Sequence, residues 1–63
     1  MTDIQLLYLA LVGEAIATTT DIKLEQVAEV DRLLTVLGDE VFDIVAECAD
    51  VAIELLERTT YSA

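Results

Sequence analysis

The chain has no histidine, no proline and no tryptophan, and among its 63 residues it carries one cysteine, two glycines and three basic side chains. Each absence excludes something. Without histidine there is no base to activate a serine or a cysteine, so triad-type nucleophilic catalysis is not expected. Ser62 and Cys48 therefore carry no catalytic expectation. One cysteine cannot close an intrachain disulfide, and without histidine or a cysteine pair a structural zinc site is excluded. Three bases (Lys23, Arg32, Arg58) against thirteen acids leave a net charge of −10. Direct binding to nucleic acid or to an anionic membrane needs cationic surface and is not expected. No catalytic residue, cofactor or metal is assigned.

What is present is apolar. Hydrophobic residues make up 56% of the chain, more than three short helices can hide. A domain this small buries only ~60% of the surface its unfolded chain exposes. Its single core supplies ~3–5 kcal/mol at most. With disulfides and zinc excluded, association with itself is the expected source of further stability.

Three segments emerge. Residues 3–17 hold an uninterrupted apolar run from Leu6 to Val12, rich in Leu and Ala, which favours helix over strand. Gln5, Gly13 and Glu14 are its only polar or small marks, and they point in different directions around the helix. Such a helix is expected to be covered on all sides. Gly13 suggests close helix packing, and Tyr8 a core or interface position. Thr18, Thr19 and Thr20 are β-branched and suit a connection. Thr20 or Asp21 is the expected cap of a second helix over residues 22–37. Gly38 then acts as its stop, Asp39 as the next cap, and residues 40–58 form a third helix. Residues 59–63 are expected to be a loose tail, with Tyr61 available to dock on a neighbour. The fold class is all-α: a helical hairpin or three-helix bundle in one domain, homo-oligomeric.

A seam of apolar residues complicates the break at Gly38. Val27, Val30, Leu34, Leu37, Val41, Ile44, Cys48, Val51 and Leu55 follow three- and four-residue steps without a slip. The seam allows one long rod. The polar faces on the two sides of Gly38 do not line up, which favours two helices. On this seam Cys48 is expected to act as a small buried hydrophobe, or to meet a second Cys48 across a two-fold axis.

The third segment also carries an acidic ridge: Glu40, Asp43, Glu47, Asp50, Glu54 and Glu57, again at three- and four-residue steps. The plain reading is a solvated face. Yet acids at this spacing repel one another, so high salt, bound cations or a basic partner should offset them. A three- or four-residue step advances ~5 Å along a helix, close to the phosphate spacing of a DNA strand. A rigid carboxylate ridge can therefore occupy a groove made for nucleic acid, as small acidic phage-encoded inhibitors of host defence enzymes do. The expected function is thus a non-catalytic protein-binding module, a small acidic regulator or inhibitor whose ridge meets a basic protein target. The alternative is a structural homo-oligomeric assembly subunit.

A third reading starts from paired carboxylates. Glu47-Cys48-Ala49-Asp50-Val51-Ala52 resembles one half of the Glu-x-x-Glu…Glu-x-x-Asp pattern of the all-α, magnesium-dependent nucleotide pyrophosphohydrolases. The resemblance implies a small oligomeric helical enzyme that holds its magnesium through such pairs. It covers about six residues. The preceding helix offers Glu25 and Glu29, spaced by four instead of three, and no basic cluster for phosphates.

The expected oligomer interface comprises Leu6, Leu7, Leu9, Leu11, Val12, Ile16, Phe42, Ile53 and Leu56. No Lys or Arg precedes the N-terminal apolar run, and no small-residue cleavage pattern follows it. Residues 4–17 span roughly 21 Å as a helix, short of a ~30 Å bilayer core. A cytoplasmic location is expected, that of the host if the chain is viral.

Overall fold

The computed structural model describes the backbone of residues 1–62 and the side chains of residues 1–59. Ala63 and the side chains of Thr60, Tyr61 and Ser62 lie outside the described residues, and with them the docking role expected of Tyr61. Among the described residues the protein is all-helical, with α1 at Asp3–Ile16, α2 at Thr20–Leu37, α3 at Asp39–Ser62 and no strand.

Each helix start has a chemical cause. Thr2 Oγ1 accepts the Gln5 N–H at 3.2 Å, and Gln5 Oε1 accepts the Thr2 N–H at 2.9 Å. This reciprocal pair satisfies two of the four unpaired donors that open any helix. The threonine run after α1 works as the expected connection, but the cap is Thr19, not Thr20 or Asp21. Its hydroxyl accepts the Ile22 N–H at 3.3 Å, and Thr20 and Asp21 become the first turn. Asp21 lies in that first turn, where its charge suits the dipole. Replacing Thr19 with alanine should destabilise the chain by about 1 kcal/mol, read as a lower midpoint in urea with an unchanged slope.

Gly38 ends α2 as expected. Its φ of 89° and ψ of 166° lie where a side chain is strained. Its N–H donates to the Leu34 carbonyl at 2.9 Å, and its own carbonyl accepts from Phe42 at 3.1 Å. One residue therefore closes α2 and opens α3. The third helix continues beyond Arg58 to Ser62, so residues 59–62 are not the loose tail expected. No glycine or proline stops the helix there, and the Thr59 hydroxyl donates back to the Leu55 carbonyl at 2.9 Å, which suits helical backbone.

The first helix is the centre of the fold. It packs against both α2 and α3, which meet each other only sparsely. Residues 1–9 lie beside Ile44–Cys48, and Leu11–Ala15 beside Ala46–Ile53, so α1 and α3 run in parallel. Gly13 permits close approach: a Cβ there would meet the Gln26 side chain at 3.2 Å. The core is Leu7, Ala10, Val30, Leu33 and Val45, flanked by Leu6, Tyr8, Leu11, Leu37, Val41 and Phe42.

Coverage is incomplete. The radius of gyration is 12.0 Å and the extents are 38 × 25 × 19 Å, against roughly 10.6 Å for a compact domain of this length. Two neighbours cannot surround α1, and Ile4, Leu9 and Ile16 stay half exposed. The third helix is less engulfed than its composition suggests. It turns Val45 and Ala49 inward, while Ile44, Val51 and Leu55 are each more than half exposed. Small residues at Ala46, Ala49 and Ala52 let α1 approach on that side, and the bulkier stripe remains outside.

Candidate functional site

Two surfaces stand out, one charged and one apolar. Glu40, Asp43, Glu47, Asp50, Glu54 and Glu57 are all exposed along α3. From first to last they cover roughly 26 Å of helix. Arg58 sits one turn beyond Glu54, where an ion pair could form, but none does. Among the described residues the single ion pair is Glu29–Arg32 on α2, at 2.6 Å. Its two-point hydrogen bond to Arg32 holds the Glu29 carboxyl below its usual range, with the guanidinium charge adding to the effect. Both partners are partly open to water, so the pair adds little to stability. Among the described residues no ridge carboxylate forms an ion pair. The ridge carboxylates pair up along the helix but do not converge: among the described residues no three acidic or cysteine side chains gather as a metal site.

The apolar surface is a groove between the N-terminal halves of α1 and α3. It is lined by Met1, Ile4, Gln5, Tyr8, Leu9, Ile44, Val45 and Cys48, and has a volume of about 600 Å³. Apart from the N-terminal amine no charged group lines it. Continuing along α3 from this groove, Val51 and Leu55 extend the exposed stripe. Cys48 is exposed, which corrects the expectation of a buried thiol. It belongs to the half of the apolar seam that α1 does not cover. A second, more polar depression of about 290 Å³ lies on the other flank of α3, lined by Glu14, Lys23 and Asp50 together with Leu11 and Ile53.

The residues expected at an oligomer interface divide into three groups. Leu7 is fully buried within its own chain and is unavailable to a partner, because α2 and α3 both close over that face of α1. Leu6, Leu11 and Phe42 are half-buried against the same core, and Val12 and Ile53 are also half-buried. Leu9, Ile16 and Leu56 remain open to solvent. Met1, Ile4, Ile44, Val51 and Leu55, outside that expected set, are also exposed. A signal for four of them was present: their three- and four-residue steps on α1 and on the distal half of the seam.

No known family, no curated protein and no solved structure matches the chain. Among the described residues no helix is long and apolar enough to cross a membrane.

Proposed function

We propose that the protein is a non-catalytic binding module, a small acidic regulator that presents the α3 ridge to the basic surface of a protein target. One observation carries this reading: six carboxylates share one exposed helix face and none forms an ion pair among the described residues, although like charges at this spacing work against the helix. A basic partner would relieve that repulsion. Such a surface also attracts the partner from a distance and speeds encounter. A target that ordinarily holds nucleic acid fits the repeat of the ridge. The reading as a structural assembly subunit draws on a different feature, the apolar groove, which the ridge does not require.

The test compares two triple variants of equal charge change. Glu47→Lys, Asp50→Lys and Glu54→Lys reverse the middle of the ridge. Asp21→Lys, Glu25→Lys and Asp31→Lys change α2 instead. A basic protein captured by the native chain and released by duplex DNA should be lost from the ridge variant and kept by the α2 variant. Salt should weaken its capture steeply. Equal loss from both variants would reduce the ridge to net charge and end the proposal, as would the absence of any DNA-displaced protein.

A further inference from the structure

We infer that the groove between α1 and α3 is an isologous interface occupied by a second copy of this chain. The inference deepens the assembly side of the reading above and is independent of the ridge. Three observations support it. The first is area. The chain exposes 4640 Å², whereas a globular monomer of 6.9 kDa exposes roughly 4,000 Å² by the usual size scaling. The excess, roughly 600 Å², approaches the ~800 Å² that each partner contributes to a standard interface.

The second is pattern. Ile44, Cys48, Val51 and Leu55 repeat at four-, three- and four-residue steps and are all exposed, as a helix seam must be to interlock with another helix. Ile4 and Tyr8 repeat on the adjacent α1, so one face carries two parallel rows. A two-fold axis running along the helices would set α3 of each copy against α1 of the other, giving a four-helix core.

The third is charge. With a net charge of −10, a second copy is an acceptable occupant only if the contact itself is uncharged, and no carboxylate lines this groove. In the two-fold arrangement the two ridges fall on opposite edges of the dimer. Their remaining repulsion makes pairing tighten as salt rises, the reverse of what a basic target would show.

Cys48 reports on the geometry, because it lines the groove and is the only cysteine in the chain. Sedimentation equilibrium on the full chain should show a dimer that tightens between about 0.05 and 0.5 M salt. A short bis-maleimide should bridge Cys48 of one copy to Cys48 of the other, with no oxidant needed. Ile44→Lys with Val51→Lys places charge at positions 64% and 59% exposed, which a folded monomer tolerates. It should raise the dissociation constant at least about 100-fold and abolish the cross-link. Leu24→Lys, on the exposed side of α2, should change neither. A monomer at all concentrations, a dimer that does not cross-link at Cys48, or one indifferent to Ile44→Lys and Val51→Lys would overturn the inference. So would seam occupancy found only with an added basic amphipathic peptide. Loss of target binding by the ridge variant leaves this result untouched, so the two proposals fail separately.

Discussion

Replacing Leu33 with alanine is expected to unfold a large share of the molecules. Leu33 and Leu7 are the largest fully buried side chains among the described residues. Truncating a buried leucine costs about 2–5 kcal/mol, from lost transfer free energy and from the cavity left behind. A core of this size supplies only ~3–5 kcal/mol in total. The variant should show weak helical circular dichroism at micromolar concentration and a shallow thermal transition. Because the face proposed for pairing is retained, helicity should return in part as concentration rises if the chain dimerises there, since association stabilises whatever it binds. Leu24→Ala, at a position 60% exposed, should change stability by no more than about 0.5 kcal/mol. If Leu33→Ala melted like the native chain, the three helices would not share the core described here.

The position of Leu33 shows what could and could not be read from the chain. Three helices, the break at Gly38 and the exposed ridge follow from propensity, from a residue with no Cβ, and from acids that have no reason to be buried. The choice of inward face does not follow. On α2 the regular seam runs through Val27, Val30, Leu34 and Leu37, yet Leu33 is the residue that disappears from solvent while Leu34 stays half-buried. Adjacent leucines leave the period undecided, and the position of α1 settles it. The same ambiguity misplaced Leu7. Because α1 is apolar on every side, nothing in its pattern separates the residues facing α2 and α3 from those left outside. On α3 the opposite error arose. The seam register of Ile44, Cys48 and Val51 stays exposed, while Val45 and Ala49, each one position beyond a seam residue, are buried, and the small Ala49 leaves room there for α1. The Thr2–Gln5 capping box was legible though not anticipated, since threonine followed three residues later by glutamine is its signature. The unpaired Glu54 and Arg58 were not, because their spacing permits an ion pair that the structure does not form.

Substituting Gly38 with alanine should change the shape of the molecule. The glycine holds φ 89° and ψ 166°, and beyond its own chain neighbours nothing lies within 4 Å of the point a Cβ would occupy. The penalty for alanine therefore comes from its own backbone and not from a neighbour. That penalty is about 1–3 kcal/mol. Alanine also favours a helix interior over glycine by about 0.8–1 kcal/mol. Both effects point the same way, toward α2 and α3 joining into one helix. The apolar seam already runs through Gly38 in register, so a straightened helix would present an unbroken stripe from Val27 to Leu55. A rod from Thr20 to Ser62 would be about 65 Å long, against a longest dimension of 38 Å now. It could not keep both halves packed on one α1, so the exposed stripe would have to find another chain. Small-angle scattering should therefore show a longer particle of higher mass, with helicity unchanged or increased. Gly38→Asn should behave like alanine, since φ 89° with ψ 166° lies outside the left-handed helical well that asparagine tolerates and is essentially reserved for glycine. A Gly38→Ala protein with native dimensions and native stability would mean that the turn is held by the packing of α2 and α3 on α1, with the glycine a bystander.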